Sequence, residues 1–182
     1  EMTLGEAIEK KMLCDFRIVA IGVNDKEVAE HLNNRTYVAE GVSADEAAAS
    51  IAINEIFKKI GTTHMISFHS RLALAEMTSK ELNKLDLYSE TVKGTMSTKN
   101  REMAFKRFKK KPKAVLTNAF ALQEGIDIKK VDSIFFSSPK SSTISIIQAM
   151  GRALRLDPDN PKKIATIVVP VYTVGDPNEE IN

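Results

Sequence analysis

His64-Met-Ile-Ser-Phe-His69, Arg71-Leu-Ala-Leu-Ala-Glu-Met-Thr-Ser-Lys-Glu-Leu82 and Leu85-Asp-Leu-Tyr-Ser-Glu-Thr-Val92 follow one another almost without a gap. The first run is short and largely apolar, the signature of a buried strand. The second places Leu74, Ala75, Met77 and Leu82 at helical spacing, which predicts a helix with those residues facing inward. The third reads as another strand. A strand, a helix of ten or more residues and a second strand form the unit that joins parallel strands, by a right-handed crossover. This stretch therefore decides for an α/β fold.

The same alternation continues outward. Upstream, Arg17 to Val23 reads as a strand. Ser43 to Ile60 reads as a helix, opened by the S-x-x-E pattern of Ser43 and Glu46 and followed by Gly61. Its apolar stripe is Ala47, Ile51, Ile56 and Ile60. Downstream, Ser97 caps a helix to Lys110, and Ala114 to Thr117 and Val131 to Ser137 are strands. Ser142 to Leu156 is a helix closed by Pro158, and Ile164 to Tyr172 is a last strand with Pro170 near its end. Residues 24–42 are the least regular section. These patterns predict one three-layer domain over residues 1–182, a mainly parallel sheet with helices on both faces. Residues 1–16 and 175–182 are expected to be peripheral. In such sheets ligands bind at the carboxyl ends of the strands, here the loops after Thr117 and Ser137.

The 182 residues are 43% hydrophobic and 27% charged, a globular balance with net charge +2. That weak basic bias identifies no nucleic-acid binder by itself. No apolar run is long enough to cross a bilayer and no secretory pattern opens the chain. The one cysteine, Cys14, excludes an internal disulfide and reads as a small buried apolar residue. His31, His64 and His69 have no zinc-like spacing, so no metal site is expected. Together these readings predict a cytoplasmic domain without membrane contact. The first residue is Glu, so the chain reads as a fragment of a longer protein.

The run Gln148-Ala-Met-Gly151-Arg152-Ala-Leu-Arg155 carries the strongest chemical signal. On a helix, Gln148, Arg152 and Arg155 stand at i, i+4 and i+7, on one face. Ile146, Ile147, Met150, Ala153 and Leu154 take the opposite arc. An amphipathic helix must expose something polar, so periodicity alone fits a solvated face. Gly151 adds weight to a functional reading. A mid-helix glycine costs about 1 kcal/mol against alanine, a cost that fits close approach by another backbone or a ligand. Arginine is also the side chain suited to clamping phosphate.

This run resembles the Q-x-x-G-R-x-x-R motif VI of superfamily 2 DEAD/DEAH-type helicases. Glu124-Gly125-Ile126-Asp127, after the strand Ala114 to Thr117, resembles motif V, and Met65 to Arg71 resembles motif IV. Val92-Lys93-Gly94, Arg101 and Phe105 to Phe108 resemble the connection between them. The resemblance covers about Ser43 to Tyr172, and it is nearest to large bacterial helicases related to restriction-enzyme motor subunits. It implies a RecA-like, P-loop NTPase-like C-terminal lobe. It implies that Arg152 and Arg155 reach across a cleft to the γ-phosphate of ATP as arginine fingers, with Gln148 ordering the interface. Gly125, Asp127 and Gly151 would lie against the nucleotide.

The family places a threonine that touches nucleic-acid phosphate six residues before the glycine of motif V. Here that position is Ala119, and Thr117 and Asn118 stand just before it as substitutes. With Ser70, Arg71 and Gly94 they make the candidate nucleic-acid set. The basic stretch Lys106 to Lys113 reads as a solvated helix face, with Phe105 and Phe108 in the core and lysines favoured at a helix C-terminus.

No G-x-x-x-x-G-K-[ST] loop occurs, and no acidic strand-end pattern that would hold magnesium. The resemblance therefore implies ATP and Mg2+ in the full-length protein, both held mainly by a separate N-terminal RecA-like lobe of the same polypeptide. This domain alone is expected to hydrolyse no ATP. Nucleic acid, DNA rather than RNA, is the implied partner. The competing reading is a non-catalytic helicase-like module that binds DNA or a protein. A dinucleotide-binding or flavodoxin-like enzyme is disfavoured, because no glycine-rich loop follows the first strand.

Overall fold

In the computed structural model, which describes residues 4–24, 44–119, 128–137, 150–151 and 153–173, each expected strand and the first three expected helices appear, while most of the helix expected over Ser142 to Leu156 lies outside the described residues. The order is α1 (Leu4–Glu9), β1 (Asp15–Asn24), α2 (Ala44–Lys59), β2 (His64–Phe68), α3 (Leu72–Lys84), β3 (Tyr88–Val92), α4 (Thr98–Lys110), β4 (Ala114–Asn118), β5 (Ser133–Phe136) and β6 (Ile164–Thr173). Helix α1 had no sequence signal strong enough to predict it. Ser43 lies outside the described residues. Gly61 does follow α2 at φ +76, the left-handed backbone that glycine adopts without strain. Ser97 accepts a hydrogen bond from the Asn100 amide at 3.2 Å, so the cap of α4 forms as expected.

All strands pair in parallel, in the order β1-β6-β5-β2-β4-β3. Successive strands β4 and β5 lie on opposite sides of β2, so the winding reverses around β2. Strand β6 reaches beyond β5, whose pairing with it stops at Phe135 and Val168. Pro170 therefore faces a neighbour on the β1 side alone, which makes its missing N–H tolerable.

Two cores flank the sheet. One gathers Ile66, Leu116, Ile134 and Ile167 with Phe108 of α4 and with Met150, Ala153 and Leu154. The other gathers Met65, Val115, Phe135 and Val168 with Ala48, Ala52, Ile53 and Ile56 of α2 and Leu82 of α3. Alternate strand residues thus point to opposite helix layers, as the pleat requires. The result is the three-layer RecA-like architecture.

The buried faces of two helices differ from the expected stripes. In α2 the buried residues are Ala48, Ala49, Ser50, Ala52, Ile53, Ile56 and Phe57, while Ile51 and Ile60 are half-buried. In α3 the buried face is Ala75, Thr78, Ser79, Glu81 and Leu82, while Leu74 and Met77 are half-buried. Small residues at Ala75 and Ser79 let α3 sit close on the sheet. At the N-terminus, Cys14 enters the first core and β1 joins the sheet from Asp15. Residues 13–16 are therefore built into the fold, contrary to the expectation for 1–16. Cys14 is buried as expected, and burial pushes its thiol up, with Lys163 pulling the other way.

Candidate functional site

Thr117 and Ser137, after which ligand loops were expected, lie at the carboxyl edge of the sheet, whereas Arg155 of the motif VI run lies at the amino edge. At the carboxyl edge, the residues after β2, β4 and β5 are laced together. The His69 amide donates to the Asn118 carbonyl at 2.9 Å, and the Ser137 amide to the Phe68 carbonyl at 3.0 Å. Asn118 Nδ2 donates to the Ser67 carbonyl at 3.0 Å, and Ser137 Oγ to the Phe68 carbonyl at 3.0 Å. Ser67 Oγ pairs with His69 Nε2 at 2.7 Å. The Phe68 and Phe136 rings stack at 5.5 Å on this edge.

Ser70 and Arg71 stand exposed on this network, and Arg71 is the N-cap residue of α3. Gly94 is exposed beyond β3, where its carbonyl accepts from Arg101 Nη2 at 3.5 Å. Beside it Lys93 forms an ion pair with Glu76. Thr117 is different. It is 0% exposed, its hydroxyl donates to the Ala75 carbonyl at 2.8 Å, and that oxygen also pairs with Thr91 Oγ1 at 2.9 Å. A hydroxyl committed inward reaches no phosphate, so Thr117 leaves the nucleic-acid set as a structural residue. Asn118 is equally buried, and its Nδ2 ties two strands. The residues that sequence reasoning missed here are Ser67, His69 and Ser137. Their signal was a serine inside an otherwise apolar strand, with a histidine at its end.

The last motif residue lies at the amino edge. Met150, Gly151 and Ala153 are helical, and the Leu154 amide closes a turn on the Met150 carbonyl at 2.9 Å. The helix ends there, before the expected Leu156. Arg155 forms an antiparallel bridge with Leu13, and the Cys14 amide takes the Leu154 carbonyl at 2.8 Å. Lys163 Nζ donates to the Arg155 carbonyl at 2.7 Å. Carbonyls that would otherwise be left open at the helix end are thus capped by other segments, which is why the chain turns out of the helix. The i+7 argument that put Arg155 on the helix face is corrected accordingly. Arg155 is half-buried, and a Cβ on Gly151 would meet nothing within 4 Å. Gln148, Arg152, Gly125 and Asp127 lie outside the described residues.

The amino edge also holds a polar cavity of about 220 Å³, lined in part by Thr63, His64, Lys130, Asp132, Asp157 and Lys163. Asp132 accepts from Thr62 Oγ1, from the amide and hydroxyl of Thr63 and from the His64 amide, at 2.6–3.3 Å. Because Thr63 gives its hydroxyl proton to Asp132, its oxygen accepts from His64 Nδ1 at 3.0 Å. The His64 proton in this bond therefore sits on Nδ1. Burial pushes its proton affinity down, with Asp132 acting the other way. Among the described residues, no three His, Cys, Asp or Glu side chains gather as a metal site would need. Nor is any described helix long and apolar enough to cross a membrane.

Residues 48–157 match the helicase conserved C-terminal domain. This chain belongs to that family. The match spans the motif IV and motif V resemblances and the whole run from Gln148 to Arg155. Two African swine fever virus proteins, each described as probable helicase A859L, are 25% and 24% identical over 172 residues, covering 92% of this chain and 19% of theirs. The chain thus spans about a fifth of the curated relatives that it matches. Among solved structures, the ATP-dependent Type ISP restriction-modification enzyme LlaBIII bound to DNA superposes with TM-score 0.75 at 21% identity. The superposition covers 94% of this chain and 13% of that one. The E. coli DEAD-box protein SrmB, bound to regulator of ribonuclease activity A, superposes with TM-score 0.64 at 16% identity, covering 87% and 78%. These likenesses show the RecA-like α/β fold of helicase C-terminal domains.

Proposed function

We propose that this helicase C-terminal lobe is the second motor lobe of an ATP-dependent nucleic-acid helicase or translocase, acting on DNA rather than RNA, with its ATP site completed by a separate N-terminal lobe. The observation that carries the reading is the placement of Arg155. The last arginine of the Q-x-x-G-R-x-x-R run stands just off a helix end, its main chain fastened by Leu13 and Lys163. A guanidinium that must meet developing charge on phosphate works best from such a preorganised base. Gly151 fits the same reading. Nothing described in this chain crowds its Cα, so internal packing does not demand a glycine there, whereas close approach by another lobe would.

The residues present suit one side of a nucleotide and not the other. Arginines are here, and a phosphate-cradling loop with its lysine is absent from the sequence. ATP with Mg2+, held by the other lobe, would supply the transferring phosphoryl group and its charge. This chain's part is to bring Arg152 and Arg155 against that charge and to order the cleft through Gln148, with Gly125 and Asp127 lying toward the nucleotide. Ser70, Arg71 and Gly94, at the other edge, form the candidate track for nucleic-acid phosphates. In this reading residues 1–182 are one domain of a longer chain and hydrolyse no ATP alone.

The test is ATPase activity of a polypeptide carrying both lobes, with and without DNA, for wild type, Arg152→Ala and Arg155→Ala. Loss of an arginine finger is expected to lower turnover by about 10³-fold while ATP binding persists. Normal hydrolysis by both variants would show the arginines to be a solvated face and the domain to be a binding module.

A further inference from the structure

Lys163 stands immediately before β6 with its ammonium directed into the protein, and the residue is 6% exposed. Burying an ammonium is costly unless its donors are matched by well-placed acceptors. Two of them are. Lys163 Nζ donates to the Lys129 carbonyl at 2.9 Å and to the Arg155 carbonyl at 2.7 Å. Asp132 and Asp157 line the cavity that Lys163 also lines, and both offset the charge that burial disfavours.

The two carbonyls belong to segments far apart in sequence and close in function. Lys129 comes two residues after Asp127, the end of the motif V resemblance, within a turn closed by the Val131 amide on the Ile128 carbonyl at 3.1 Å. Arg155 is the last residue of the motif VI run, where the helix has already ended. Between them, Lys163 is a direct side-chain bridge. An apolar residue at this depth would deprive both carbonyls of this donor.

We infer that Lys163 is a positioning residue that fastens the motif V exit to the motif VI arginine, so that both present themselves to a nucleotide as one rigid unit. This rests on the motor-lobe reading for its consequence, though not for its geometry. Lys163 itself touches no substrate. It acts through the main chain of Arg155, and misplacing a catalytic group by about 1 Å costs on the order of 10²-fold in rate.

Two measurements separate the geometry from the function. Amide hydrogen exchange on the 182-residue chain, wild type against Lys163→Met, is expected to speed up at residues 128–131 and 153–157 together, while β2 and β4 keep their protection. Lys163→Gln, which keeps a donor but is too short to span both carbonyls, is expected to show a smaller change in the same two segments. In a polypeptide with both lobes, Lys163→Met is expected to lower kcat by about 10- to 100-fold with KM for ATP within about twofold. Unchanged exchange, a change in one segment alone, or a rise spread evenly over the sheet would each overturn the inference and leave the motor reading standing. Joint loosening with unaltered kcat in both Lys163→Met and Arg155→Ala would keep the bridge and defeat the motor reading.

Discussion

Thr117→Val separates a structural residue from a nucleic-acid contact at the one position where sequence and structure disagree most directly. Valine has nearly the same shape, so it replaces the hydroxyl without opening a cavity. What is lost is the bond to the Ala75 carbonyl at 2.8 Å and the pairing with Thr91 Oγ1 at 2.9 Å. The Ala75 carbonyl is not orphaned, because Thr91 Oγ1 already lies 3.4 Å from it and can donate there. The net loss is therefore that of one to two neutral hydrogen bonds, about 1–2 kcal/mol. For a domain of this size that lowers the melting temperature by roughly 3–6 °C. Differential scanning fluorimetry of the 182-residue chain reads the shift. Fluorescence anisotropy with a labelled oligonucleotide, at a temperature where both proteins are folded, reads affinity, which is expected to be unchanged. Tenfold weaker binding with an unaltered melting temperature would refute the reasoning and return Thr117 to the nucleic-acid set.

Gly151→Ala should stabilise the isolated chain by about 1 kcal/mol, because the position is helical and a Cβ there meets nothing within 4 Å. In a two-lobe polypeptide the same change should lower ATPase turnover, so a stabilised variant with full activity would remove the argument for close approach at this glycine. Burial pushes His64 below its ordinary value, so the folded chain binds that proton less readily than the unfolded chain. Stability from this site is full above about pH 6.5 and falls as pH drops below it, until the folded imidazole itself titrates. Urea unfolding between pH 7 and 5 should therefore show a shallower loss for His64→Gln than for wild type, and parallel curves would assign the acid sensitivity elsewhere.

The fold was legible because β2, β4 and β5 are short, largely apolar runs and the ends of α2 and α4 are marked. Ser97 and Gly61 did what their local chemistry dictates. The faces of α2 and α3 were less legible, because alanine, serine and threonine pack closely on a sheet while carrying little hydrophobic signal. Thr117 is buried with its hydroxyl bonded to the Ala75 carbonyl, a partner that no periodicity count registers. The ending of the last helix was hidden for a different reason. Pro158 marks a limit, but the stop comes earlier because the Cys14 amide takes the Leu154 carbonyl and Lys163 Nζ takes that of Arg155. Those partners lie 8 and 140 positions away, and local sequence carries no trace of such capping.

The division of the candidates between two edges bears on how such a lobe would work. Ser70 and Arg71 follow the carboxyl end of β2, and Arg155 leaves its helix at the amino edge, beside Leu13 and Lys163. Strands of about five residues put roughly 15 Å between those edges. The space is filled by one continuous core in which Met150, Ala153 and Leu154 share a cluster with Phe68 and Phe136. A close-packed core of that kind has little capacity for gradual deformation. Force arriving at Arg155 would therefore turn the lobe as a body, carrying the Ser70 and Arg71 edge with it, rather than travel as a local distortion through the strands. A lobe working as proposed would need a stiff body and a movable junction outside it. Substitutions that soften the core between the edges, such as Phe136→Ala, should then uncouple DNA-stimulated ATPase from translocation while Arg155 still supports hydrolysis.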